Sequence, residues 1–274
     1  MNYMKNMFLV AILVFLSFAF VNAQPAMESG AALYEADKLF NAGNDLAGSD
    51  YEAAQANWRK AAELLEGEAK SGLSNGPLFY NLGNIYFRLG DIGRAILNYR
   101  KAECYIPGDA NLMRNLSIAR RMRKDKVETQ ESTRVMKTLF FWHYDFSVST
   151  REKIFMVAFT VLFLALILRL RYRKLALNWT IALAAVATIV FAVSFVLTEY
   201  DRSRHPEGVI LAEAVVARTG YSNSYEKSFA EPLHAGTEFK TLSTRADWLE
   251  IQLADGSTAW IPQSEAALVK SKLP

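Results

Sequence analysis

The stretch FYNLGNIYFRLGDIGRAILNYRKAECYIP, Phe79–Pro107, decides how the first half of the chain folds. Its apolar residues recur at helical spacing on both sides of Gly90-Asp91, a pair that breaks the chain between two helices. Phe79, Leu82, Gly83 and Tyr86 share one face of the first helix. Ala95, Tyr99 and Ala102 share one face of the second, and Pro107 ends it. Gly83, Ala95 and Ala102 are small where the two helices press together, while Leu82, Tyr86 and Tyr99 fill the seam.

The pattern Phe79-x2-Leu82-Gly83-x2-Tyr86, Ala95-x3-Tyr99-x2-Ala102 and Pro107 is the tetratricopeptide (TPR) signature, with Phe and Tyr in place of the usual Trp and Phe. A looser copy precedes it. Ala36-x2-Leu39-x3-Gly43 matches the first helix and Tyr51-x2-Ala54-x3-Trp58-x2-Ala61 the second, with Asn44–Asp50 lengthening the turn by about six residues. After Pro107, Asp109–Arg123 continues as a helix. Leu112, Met113, Leu116 and Ala119 lie on one side and Arg114, Arg120, Arg121 and Arg123 on the other, the pattern of a solvating cap. Helical geometry puts Tyr80, Asn84, Phe87 and Arg88 on the inner face of the better repeat. There Asn and Arg are suited to a partner's backbone or carboxylate, or are ordinary exposed polar groups. Cys104, on the second helix between packing positions, reads as a small buried thiol.

The averages of 51% hydrophobic residues and net charge +3 hide a segmented chain. Met7–Val21, Ile154–Leu168 and Leu175–Leu197 contain no charge. Residues 1–23 have the form of a signal peptide, with Lys5, an apolar core and Val21-Asn22-Ala23 ahead of a cut after Ala23; an uncleaved anchor is the rival reading. Ser149 and Glu152 have capping-box spacing, so a spanning helix is expected from near Thr150 to Leu170. Leu175–Leu197 spans by itself. Between them, Arg169, Arg171, Arg173 and Lys174 mark a cytoplasmic turn, which leaves both flanking regions on the extracytoplasmic side. Phe140-Phe141-Trp142-His143-Tyr144, Trp179 and Tyr200 suit an interfacial belt. With no ionisable residue in either apolar run, the hairpin reads as an anchor and not as a transporter. Residues 136–197 carry +5 and residues 198–274 carry −3, so the positive charge is a topology signal and nucleic-acid binding is excluded.

From Val209 the texture changes to strands. Val209–Val216 is apolar and β-branched, Thr237–Leu242 alternates, and Trp248–Leu253 puts Leu249, Ile251 and Leu253 on one face. Asp255-Gly256 is a hairpin signal, and Ser257–Ile261 returns to Pro262. Short strands with tight turns suggest a small barrel. Leu233-x2-Gly236-Thr237, Trp248-x2-Ile251, Asp255-Gly256 and Ala259-Trp260-Ile261-Pro262 resemble bacterial SH3-like domains. Tyr221, Tyr225, Trp248 and Trp260 are candidates for an aromatic groove that binds a peptide or peptidoglycan, or one of the tryptophans is core.

No GxSxG, HExxH, Walker A or dinucleotide fingerprint is present. One cysteine and three scattered histidines (His143, His205, His234) supply neither a disulfide framework nor a metal site, and no cofactor or catalytic residue is expected.

The fold class expected is a multi-domain membrane protein: an all-α TPR region, two transmembrane helices and a C-terminal all-β SH3-like barrel. Its parts are a signal peptide (1–23), TPR domain (24–135), aromatic linker (136–153), span (154–170), basic loop (171–174), span (175–197), linker (198–208) and barrel (209–270). This order, with Phe79–Ala102 and ADWLEIQLADGSTAWIP (Ala246–Pro262) as its most specific residues, resembles the TPR-containing, BatE-type proteins of the Bacteroides aerotolerance (Bat) operon. The resemblance implies an inner-membrane scaffold with both domains periplasmic. Its implied partners are Bat-family von Willebrand A-type membrane proteins, in a set encoded beside a MoxR-type ATPase and associated with tolerance of oxygen or other stress. The alternative reading is a peptidoglycan-binding protein acting through the barrel.

Overall fold

The computed structural model describes residues 30–126, 140–144, 146, 148–172 and 174–269. The leader assigned to residues 1–23 lies outside the described residues, as do Asp145 and the side chain of His143.

Five helices form the N-terminal array: α1 (Gly30–Leu46), α2 (Tyr51–Lys70), α3 (Gly76–Arg88), α4 (Ile92–Tyr105) and α5 (Ala110–Met122). Each start after the first is set by a side-chain cap. Asp50, Asn75, Asp91 and Asp109 accept the backbone N–H groups of Ala53, Leu78, Arg94 and Leu112, each cap contributing about 1 kcal/mol. α1 pairs with α2, α3 with α4, and α5 stacks on α4. The seam is as close as the sequence requires. A Cβ on Gly83 would lie 2.4 Å from the Tyr99 ring, and one on Gly43 would lie 2.5 Å from the Trp58 indole.

That parallel corrects the expected six-residue insertion. Gly43 is inside the first helix as expected, and it is the counterpart of Gly83. Asn44, Asp45 and Leu46 remain helical, and residues 47–50 join α1 to α2 much as residues 89–91 join α3 to α4. The cap reading of α5 is corrected too. Leu112, Leu116 and Ala119 are buried as expected, but Met113 is 40% exposed, and Arg120 and Arg123 are bound to the C-terminal region instead of facing solvent.

After the four-residue helix α6 (Phe141–Tyr144) come α7 (Val148–Arg171) and α8 (Leu175–Arg204), an antiparallel pair. Thr150–Arg171 and Leu175–Thr198 are long and apolar enough to cross a membrane. Only 6% and 11% of their most apolar stretches are buried, so their side chains face outward, unlike those of a soluble core helix. α7 is described from Val148, within two residues of the expected start near Thr150, and the side chain of Ser149 lies outside the described residues. α8 runs on to Arg204, so most of the expected linker 198–208 is helix. Arg151, flanking the apolar run, is buried between the two helices and donates to Ser194 Oγ (2.8 Å) and Thr198 Oγ1 (2.9 Å).

The C-terminal region is an antiparallel sheet of β1 (Glu207–Ile210), β4 (Glu238–Arg245), β5 (Trp248–Gln252), β6 (Thr258–Pro262) and β7 (Ala266–Leu268), ordered β6-β5-β4-β1-β7. β2 (Ala214–Val215) pairs with β3 (Leu233–His234), and a 3-10 turn at Gln263–Glu265 precedes β7. The expected strand over Val209–Val216 is two strands with a break at residues 211–213. Leu249, Ile251, Leu253, Ala259 and Ile261 make the core of the sheet. Val209 and Ile210 are both fully buried because β1 is covered on both faces. Ile210 enters the core of the sheet, and Val209 joins the core of the helical array. The helical array and the sheet are therefore packed against each other.

Candidate partner-binding groove

α1, α3, α4 and α5 enclose a groove of about 330 Å³ lined by Phe40, Asn84, Phe87, Arg88, Tyr99, Asn115 and Ile118. Its floor is a neutral hydrogen-bond network. Burial holds the Tyr99 phenol above its ordinary range, so the hydroxyl keeps its proton and donates to Asn84 Oδ1 at 2.9 Å. Asn115 Nδ2 donates to the same oxygen at 2.9 Å and to Tyr80 Oη at 3.1 Å. Asn84 Nδ2 and Asn115 Oδ1, one donor and one acceptor, are left without partners among the described residues. Phe40, Phe87 and Ile118 give the walls apolar surface, and Arg88 is exposed with no ion pair among the described residues.

Three of the four inner-face residues expected from sequence, Asn84, Phe87 and Arg88, line this groove. Tyr80 supports its floor, with its ring 6.2 Å from that of Tyr99. Phe40, Asn115 and Ile118 were not anticipated. The signal for the last two was the helical pattern after Pro107, which continues the array as another groove-forming helix. Tyr99, expected only in the seam, also serves the floor.

On another face of α4 and α5 lies a joint with the sheet, built from charges. Glu238 accepts from Arg120 Nε and Nη2 (both 2.7 Å) and pairs with Arg123 and Arg100 (both 3.3 Å). Arg100 also pairs with Glu207 and Glu103. Burial pushes the Glu238 carboxyl up, but the Arg120 hydrogen bonds and the charges of Arg120, Arg100 and Arg123 outweigh it and hold the group below the usual glutamate range. Burial also opposes the charge on Arg100, yet Glu207, Glu103 and Glu238 together raise its pKa further.

A second clasp closes the joint. Asp125 Oδ2 accepts from the His234 backbone N–H (2.7 Å) and Thr237 Oγ1 (2.6 Å), and Asp125 Oδ1 lies 2.7 Å from His234 Nδ1. Lys124 Nζ stands 2.8 Å from His234 Nε2, which casts that nitrogen as acceptor and Nδ1 as donor. Burial raises the Asp125 carboxyl, and the bonds from Thr237 and His234 more than reverse this. His234 therefore fastens two regions together. Cys104 is half-buried on α4, its Sγ 3.5 Å from the Arg100 carbonyl oxygen. Among the described residues, no group of three or more His, Cys, Asp or Glu is placed to hold a metal ion.

The four aromatic residues expected to form a groove on the sheet are only partly brought together. Tyr221 contacts Tyr225 and Trp260, with centroids 5.7 Å apart in each case, and the Arg245 guanidinium lies 4.4 Å over the Tyr221 ring. Trp248 stands opposite Arg245 and Pro262 at the end of β5, outside that trio. Neither tryptophan is core; alternation puts both on the outer face, with Leu249, Ile251, Ala259 and Ile261 pointing inward. Comparison with protein families, curated proteins and solved structures gives no match.

Proposed function

We propose that this chain is a non-catalytic, membrane-anchored scaffold whose helical array receives a segment of a partner protein. The observation that carries the reading is the groove between α3 and α5. It combines apolar walls, an amide donor and acceptor without partners among the described residues, and the exposed cation of Arg88. That set suits an extended or helical segment with an apolar side chain and a nearby carboxylate. The signature spacing of Phe79–Pro107 and the close approach at Gly83 support a TPR-type array. The strand order β6-β5-β4-β1-β7, with its 3-10 turn before β7, supports an SH3-like barrel.

Docking of the array on the sheet, with two candidate spans between them, supports a hairpin that returns to the side it started from. Four basic residues around the turn favour a cytoplasmic loop and a periplasmic pair of domains at the inner membrane. The module order supports assembly with Bat-type von Willebrand A membrane proteins, in a complex linked to tolerance of oxygen or other stress.

The test is affinity isolation of the full chain from native membranes in mild detergent. Membrane proteins recovered with the wild type should be lost with Phe87→Ala/Arg88→Glu, and full retention contradicts the groove. A second reading is favoured by one observation, the Tyr221–Tyr225–Trp260 patch with Arg245. In that reading the sheet holds peptidoglycan. Full-length protein should then co-sediment with purified sacculi at low salt, and protein left in the supernatant counts against it.

A further inference from the structure

α5 serves the groove and the joint within a few turns. Asn115 and Ile118 line the groove, Arg120 on the same helix and Arg123 at its C-cap hold Glu238, and Asp125 just beyond holds His234 and Thr237. α4 repeats the arrangement in adjacent residues, with Tyr99 in the floor and Arg100 in the joint. α5 is also the last helix of the array. Leu112, Leu116 and Ala119 fix its inner side, and among the described residues no further helix of the array follows it. The terminal element of a stacked array is the least supported part and needs a cap. Here the sheet closes on α4, where a Cβ on Gly93 would lie 3.0 Å from the Ile210 carbonyl oxygen, and on the end of α5, where a Cβ on Gly236 would lie 3.4 Å from Arg123 Cβ.

We propose that the C-terminal sheet sets the groove: Glu238 is a positioning residue that clamps Arg120 and Arg123 and so holds α5 where Asn115 and Ile118 complete the binding face. The proposal rests on the reading of the groove as the partner-binding surface. It gives the sheet a task that requires no ligand of its own. The coupling is reciprocal: a segment seated between α3 and α5 tightens the joint, and loosening the joint opens the groove.

Hydrogen exchange of the full chain in detergent micelles at neutral pH, with no ligand added, tests this. Glu238→Gln should speed exchange of the α5 amides by about a hundredfold or more while α2 keeps its wild-type rates. Glu238→Asp, which keeps the carboxylate, should restore most of the protection. Unchanged α5 exchange in Glu238→Gln overturns the proposal. So does equal loss in the Gln and Asp variants, which would report packing alone. If Glu238→Gln does not fold, His234→Ala removes one anchor of Asp125 and should give a smaller rise, about threefold, in the same amides; no rise overturns the proposal. Because no ligand is present, the outcome is independent of the isolation experiment, and failure of either is distinguishable from failure of the other.

Discussion

The two sides of α4 and α5 are built from opposite materials. The groove is floored by neutral hydroxyls and amides with spare hydrogen-bonding capacity, whereas the joint packs three arginines, three glutamates and an Asp–His–Lys chain into paired contacts. Neutral polar groups left half-satisfied are inexpensive to keep wet and ready to exchange water for a partner. Charges taken out of water are tolerable only when paired, so the joint is demanding about its geometry. The contrast separates the face proposed to receive a partner from one already occupied by this chain.

The largest expected effect comes from breaking the charged side. Glu238→Gln leaves Arg100, Arg120 and Arg123 without their shared carboxylate and should cost about 3–5 kcal/mol of stability, read by denaturant unfolding in detergent. Acid should act on the same groups reversibly. Glu238 and Asp125 titrate lower when docked than when free, so the docked state binds fewer protons and the carboxylates stabilise it fully above their free values. That stabilisation is lost as pH falls below the ordinary glutamate value of about 4.5, with Glu207, Glu103 and the basic partners Arg100, Arg120, Arg123, Lys124 and His234 facing the same surface. A joint whose melting temperature does not change between pH 7 and pH 3.5 contradicts this.

On the neutral side the effects shrink. Asn84→Ala strands the Tyr99 hydroxyl and one Asn115 donor and should cost about 1–3 kcal/mol, measured the same way. Arg88→Ala, at an exposed position, should change stability by no more than about 0.5 kcal/mol yet reduce partner recovery. A large stability loss there would erase the distinction between the two sides.

How much of this was legible in the sequence follows from the same contrast. The seam positions Gly83, Tyr99 and Ala102 carried their spacing openly, and the apolar runs declared the hairpin by length alone. The groove was half legible, because helical periodicity puts Asn84 and Arg88 on one face but cannot show that Asn115 closes the opposite wall. The joint was invisible. Arg120 and Glu238 stand 118 residues apart, with the whole hairpin between them, and basic residues on a helix facing away from its apolar side look the same whether they meet water or a carboxylate. Strands as short as Leu233–His234 and Ala266–Leu268 give too few residues for alternation to register.

The central claim is that regions on either side of the hairpin dock within one chain. At Gly93 on α4, an added Cβ would lie 3.3 Å from the Ala235 Cβ in the turn after β3, near the separation a disulfide needs. In a Cys104→Ser background, Gly93→Cys/Ala235→Cys should form an intramolecular disulfide on mild oxidation of the detergent-purified chain. The helical array and the sheet should then stay covalently linked after proteolysis between them until a reductant is added. Free thiols in a folded double variant, or a disulfide formed only between copies, would contradict the account.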